Sequence, residues 1–138
     1  MRRIISLIIV ILSLATPVHA EQESVFDNYA DMRQTLDSKM MNRDIVDVMR
    51  AFGASDEMTS EELTSLEKRV RDLFPVNFEN VDVLTVNDMG NGWRQELYVY
   101  WSGLSYLYAY VLMHDQGHRT IAVHFQFNTD FDKLKSHF

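Results

Sequence analysis

Residues 93–128 read WRQELYVYWSGLSYLYAYVLMHDQGHRTIAVHFQFN, and their reading decides the fold. Three strand-length runs rich in Tyr, Trp, Val, Ile and Phe are split by Ser102-Gly103 and by Asp115-Gln116-Gly117. Aromatic and β-branched runs bounded by Gly-containing turns are the pattern of an antiparallel meander. With Ser102-Gly103 as a two-residue turn, Trp101 is expected opposite Leu104, Val99 opposite Tyr106 and Leu97 opposite Tyr108. With Gln116-Gly117 as the second turn, Leu112 meets Ile121, Tyr110 meets Val123 and Tyr108 meets Phe125.

That register gathers Trp93, Leu97, Val99, Trp101, Leu104, Tyr106, Tyr108, Tyr110, Leu112, Ile121, Val123, Phe125 and Phe127 on one face. The other face carries Arg94, Glu96, Tyr98, Tyr100, Ser105, Ala109, Met113, Thr120, Ala122, His124 and Gln126. A one-residue slip in either pairing would invert every side chain, so the apolar pattern selects the register. The first face is expected to be the buried core and the second a mixed outer surface.

Upstream of the meander the periodicity changes to that of helices. Val25, Tyr29, Met32, Leu36 and Met40 form one helical stripe, with Asp27, Asp31, Arg33 and Asp37 expected on the wet side. Ile45, Val48, Met49 and Phe52 suit a second short helix stopped by Gly53. Thr59-Ser60-Glu61-Glu62 fits a capping box for a third helix, lined inside by Leu63, Leu66, Val70 and Leu73. Pro75 disfavours helical geometry at Phe74 and ends it. Residues 78–86 (FENVDVLTV) read as a first strand whose inward set is either Val81/Val83/Thr85 or Leu84/Val86, and residues 87–92 as the loop after it. Thr129 or Asp130 caps a last turn carrying Phe131 and Leu134, expected over one rim of the sheet.

The chain begins with Arg2 and Arg3, then an apolar run over residues 4–15 broken only by Ser6 and Ser13, then Val18-His19-Ala20 before Glu21. This is the pattern of a secretory signal over residues 1–20, too short for the about 20 apolar residues that span a bilayer. Residues 21–138 then form a single domain, exported to the periplasm or beyond, with no stable membrane insertion after cleavage. Removal of Arg2 and Arg3 leaves 11 basic residues against 20 acidic ones, a net charge of −9. So acidic a surface repels nucleic acid and anionic lipid. With no cysteine there is no disulfide framework, and stability must come from packing.

Helices first and an antiparallel sheet after, over residues 25–130, give an α+β fold with N-terminal helices packed on one face of a curved antiparallel sheet of about four strands. This order resembles the nuclear transport factor 2-like and cystatin-like superfamily, in which a curved sheet wraps the helices into a cone. The resemblance implies a concave sheet face where enzymes such as ketosteroid isomerases and dehydratases place an Asp, Tyr or His. On the register above, that face offers the hydroxyls of Tyr106, Tyr108 and Tyr110 and the amide of Gln95, but neither a carboxylate nor a central histidine. Proton abstraction next to a carbonyl needs both a base and an oxyanion donor.

His114, Asp115 and His118 sit around one turn, but a metal site needs three or four ligands, and these are also ordinary turn residues. No metal or cofactor is expected. No catalytic residue is assigned. Two uses remain. Tyr106, Tyr108, Tyr110 and Gln95 are candidates to line a pocket for a small apolar ligand. Tyr98, Tyr100, Met113 and His124 are candidates for an interface on the outer face, with a second copy or an envelope protein as partner. The reading favoured is an exported, non-enzymatic binding domain, and the alternative is a small acid–base enzyme or carrier using the Tyr-lined cavity.

Overall fold

A computed structural model describes residues 23–138; the signal expected over residues 1–20 lies outside the described residues. The elements run β1 (Val25–Phe26), α1 (Tyr29–Met41), α2 (Ile45–Ala51), a 3-10 turn (Ala54–Asp56), α3 (Ser60–Leu73), β2 (Asn80–Gly90), β3 (Trp93–Ser102), β4 (Ser105–Asp115), β5 (Thr120–Asn128) and α4 (Phe131–Lys135). The strands form one antiparallel sheet in the order β1-β5-β4-β3-β2. The architecture is therefore α+β, with three helices preceding the sheet as expected and one short strand more than the four.

Local chemistry explains the helices. Asn28 caps α1 by accepting from the Asp31 amide at 2.8 Å, and Met32, Leu36 and Met40, four residues apart, are fully buried. Val25 is not part of that helix; with Phe26 it pairs with Ile121 and Thr120 as the edge strand β1. Thr59 accepts from the Glu62 amide and opens α3, which buries Leu63 and Val70 and ends before Phe74, as Pro75 requires. Leu73 falls off the buried stripe and faces water. The Phe74 and Phe78 rings then pack 5.1 Å apart under the sheet.

The turns differ from expectation in informative ways. Ser102 pairs with Ser105, so the β3–β4 turn is Gly103-Leu104, with Gly103 at φ 58° in the first central position, as a type II′ hairpin demands. This shifts the expected pairing by two residues and keeps the face of every β3 and β4 side chain. The stretch assigned to a loop over residues 87–92 is mostly strand: Gly90 pairs with Trp93, and Asn91 (φ 55°) and Gly92 (φ 84°) make a two-residue turn of type I′. The β4–β5 connection spans residues 116–119, not two residues, and β5 carries a bulge at Val123 between the Met113–Ala122 and Leu112–His124 pairs. The bulge reverses the alternation, moving Phe125 and Phe127 to the opposite face from Ile121 and His124.

The face that meets the helices is the reverse of the one expected. Tyr98, Tyr100, Leu107, Ala109, Val111, Met113 and Ala122 form the core with Met32, Leu36, Met40, Ile45 and Val48. Two features select this face. Ala109 and Ala122 leave room for helices to approach, and Leu107 and Val111 make it as apolar as its opposite. The face carrying Trp93, Leu97, Val99, Trp101, Tyr106, Tyr108 and Tyr110 is covered only in part, by α4: Leu134 packs with Leu97 and Tyr110, and Phe131 meets the Tyr108 ring edge-on at 5.5 Å. The molecule has three layers, N-terminal helices, sheet and α4, and both sheet faces are apolar.

Candidate functional site

The candidate ligand residues lie on the α4 side, and the chain itself fills the space beside them. Tyr110 is buried, stacked on His137 at 4.5 Å and met edge-on by Phe138 at 5.7 Å. Gln95 donates to the Tyr110 hydroxyl at 2.9 Å and to the His137 carbonyl at 3.0 Å. Tyr108 is half-buried against Phe131, while Tyr106 is exposed and stacks loosely on Trp101. The structure brings Gln95, Tyr108 and Tyr110 together and leaves Tyr106 at the hairpin tip.

Of the candidate interface residues, Tyr98, Tyr100 and Met113 are core residues beneath the helices and present no surface. The reason is the reversed face. His124 lies on the α4 side, 5.9 Å from the His137 ring. The three turn residues weighed as ligands are separately engaged: His114 stacks on Trp93 at 4.2 Å, Asp115 accepts from the Gly117 amide, and His118 approaches the Gln116 carbonyl. Among the described residues no group of three His, Cys, Asp or Glu side chains gathers.

The reading of the sequence missed a polar seam between α1 and β3. Glu96 is 1% exposed and accepts from Tyr29 at 2.8 and 2.9 Å, from Tyr98 at 2.5 Å and from Arg94 at 2.9 and 3.2 Å. Arg33 lies over the Tyr98 ring at 4.5 Å, donates to the Tyr29 oxygen and pairs with Asp37 at 3.0 Å; Asp37 in turn accepts from Tyr100 at 2.8 Å. Tyr29, Arg33 and Asp37 thus sit above Glu96, Tyr98 and Tyr100 in order. Four helical residues rise about 6 Å and two strand residues about 6.6 Å, so the two spacings match along the seam.

Burial, then the Glu96 carboxylate, hold the Tyr98 hydroxyl far above its ordinary range; burial and then Asp37 do the same for Tyr100. Burial likewise raises Tyr29, with Glu96 adding and Arg33 opposing. Burial opposes the Arg33 charge, but Tyr29 and Asp37 outweigh it and the guanidinium is held charged. Its Nε has no hydrogen-bond partner among the described residues. Both Glu96 oxygens are already occupied by donors, so the seam suits clamping α1 to the sheet, not proton transfer. An opening of about 190 Å³ beside it is lined by Tyr29, Gly92, Arg94, Met113, Asp115 and Thr120.

The most exposed apolar element is β2. Val83, Leu84, Val86 and Met89 are between 40 and 54% exposed, and among the described residues no strand pairs with the outer side of β2. Bulges at Leu84 and Met89 explain why neither proposed inward set holds. Val81 and Val83 share the helix-side face, as does Val86 after the bulge, while Thr85 turns to the α4 side. Those bulges leave two regular stretches, residues 80–83 and 85–88. The other edge, β5, is paired by β1 at Thr120 and Ile121, and further along it opens to a groove of about 510 Å³ lined by Met49, Leu66, Phe125, Phe127 and Leu134, among others.

Comparison with protein-family models, with curated proteins and with solved structures found no match.

Proposed function

We propose that this chain is an exported, non-catalytic binding domain that takes a protein partner along the open edge of β2. The observation that carries the reading is an edge strand of 11 residues with four large apolar side chains in water. Contiguous exposed apolar surface marks interaction sites, and an unpaired strand edge offers backbone donors and acceptors to an incoming segment. The saturated Glu96 and the filled core beneath Tyr98 and Tyr100 support a binding role over acid–base chemistry. The leader pattern over residues 1–20 supports export, with partners in the periplasm or outside the cell. The order of helices and strands supports the likeness to the nuclear transport factor 2-like and cystatin-like superfamily.

Photo-crosslinking from within the exporting cell tests this. With p-benzoylphenylalanine in place of Leu84, a discrete adduct is expected that does not form from Leu104, which is 94% exposed at the β3–β4 turn. No adduct from position 84, or the same adducts from both positions, would overturn the reading.

A second reading, capture of a small apolar molecule, is favoured by the groove along β5 and not by the tyrosines, because His137 and Phe138 occupy the space over Tyr110. Leu66→Arg, which places a charge in that groove, is expected to abolish binding of an apolar dye if this reading holds.

A further inference from the structure

We infer that the segment received by β2 is a basic extended strand, apolar in its middle and carrying Lys or Arg toward each end on opposite faces. This rests on the edge-binding reading above and adds the chemistry of the partner. Between Arg71 and Arg94 the chain carries Asp72, Glu79, Asp82 and Asp88 and no Lys or Arg. Asp82 pairs across from Val99 and faces the α4 side; Asp88 pairs across from Arg94 and faces the helix side. Each sheet face at this edge therefore ends in one exposed carboxylate. Arg94, directly across from Asp88, is already bound by Glu96 at 2.9 Å. Val83, Leu84 and Val86 lie between the two acids, so a strand laid along β2 meets apolar surface in its middle and a carboxylate toward each end. Opposite charges set directly across a strand pair contribute roughly 0.2–1 kcal/mol each, and like charges oppose pairing.

A second copy of this chain is the poorer occupant. Antiparallel pairing of two β2 strands about Thr85 sets Asp82 of one copy against Asp88 of the other, and it brings together two exported chains that each carry 11 basic against 20 acidic residues. The bulges at Leu84 and Met89 interrupt the ladder, which limits regular pairing to four-residue stretches and disfavours open-ended stacking. A short segment of a different, cationic protein fits both constraints.

The test uses the full chain cleaved as exported, isotopically labelled, and three synthetic probes whose end residues point to opposite faces: acetyl-KVTVVK-amide, its acidic counterpart acetyl-EVTVVE-amide and the neutral acetyl-SVTVVS-amide. Amide shifts over residues 80–90 are followed in each titration. The basic probe is expected to bind about tenfold more tightly than the acidic one at low salt, with the difference shrinking as salt screens it. Asp82→Lys with Asp88→Lys is expected to reverse that preference, while dispersed shifts from β3 and β4 report that the variant is folded. Equal binding of all three probes would overturn the charge inference and leave edge binding standing. Shifts confined to residues outside β2 would overturn the inference, and loss of the position-84 adduct as well would overturn the edge reading. An adduct from position 84 at twice the chain mass would assign the edge to a second copy and overturn the basic partner.

Discussion

Replacing Glu96 by Ala removes the acceptor at the centre of the α1–β3 seam, and the structure sets the size of the effect. The Tyr98 hydroxyl is fully buried and loses the acceptor it has among the described residues, which costs about 1–3 kcal/mol for an unsatisfied buried donor. Removing the side-chain atoms of a buried residue leaves a cavity worth roughly 1 kcal/mol. Arg94 and Tyr29 are partly exposed and turn to water, so their share is small, on the order of 0–1 kcal/mol for both. The relief of no longer burying a carboxylate offsets part of this. Together the expected loss is about 2–4 kcal/mol, a large fraction of the roughly 5–15 kcal/mol that holds a domain folded.

Glu96→Gln keeps the shape and one acceptor oxygen and should cost less than half as much. Glu96→Ala with Tyr98→Phe removes donor and acceptor together, so the pair should be less destabilising than the sum of the singles by about 1–2 kcal/mol. Urea unfolding followed by circular dichroism measures the parent, the three single variants (Tyr98→Phe included) and the double variant. A Glu96→Ala cost below about 1 kcal/mol, or strict additivity in the double variant, would refute the view that the seam clamps α1 to the sheet.

Other outcomes follow from the same geometry. Tyr98 and Tyr100 have folded-state pKa values above the ordinary 10.0, so their contribution is intact below pH 10, where both states hold the proton. Above it the unfolded chain ionises first, and stability should fall as pH rises; Tyr98→Phe should blunt that fall in urea midpoints measured across the alkaline range. Ala109 lies under the helices, so Ala109→Leu should cost about 1–3 kcal/mol through overpacking, whereas Tyr106→Ser on the exposed hairpin should stay within about 0.5 kcal/mol. The reverse ranking would restore the opposite face as the core. A Cβ at Gly92 would collide with the Asp115 carbonyl oxygen, and its φ is 84°, so Gly92→Val should lower stability by roughly 1–3 kcal/mol, read as a lowered thermal midpoint.

Helix positions were legible because their signals are local: Met32, Leu36 and Met40 at spacing four, Thr59 as a cap, Pro75 as a stop. The meander and its β3–β4 parity were legible for the same reason. The Asn91-Gly92 turn was also written in the sequence, as a strong short-range hairpin signal, and reading residues 87–92 as loop passed over it. Which face meets the helices was not decidable by counting apolar residues, since Leu107 and Val111 balance Leu97 and Val99. The signal that does separate the faces is size and polarity together: Ala109 and Ala122 admit helices, while Arg94, Glu96, Tyr98 and Tyr100 at spacing two match Tyr29, Arg33 and Asp37 at spacing four. Read singly, Arg33 and Asp37 look like wet-side residues, and Glu96 like a surface carboxylate; only their pairing across the layers buries them. The Val123 bulge depends on β4 and β5 closing through a four-residue loop, which no local signal in β5 announces. The candidate tyrosines were correctly grouped on one face, but the cover supplied by His137 and Phe138 depends on where α4 lands.

The open edge of β2 is tested most directly by amide hydrogen exchange resolved along each strand, first on the isolated chain and then on the chain bound to the partner cross-linked from position 84. In the isolated chain, alternate amides of β2 should exchange at nearly solvent rates while those of β3 and β4 persist. On binding, those β2 amides should become protected. Unchanged exchange along β2 in the complex, with new protection confined to α1, α2 or α3, would contradict it.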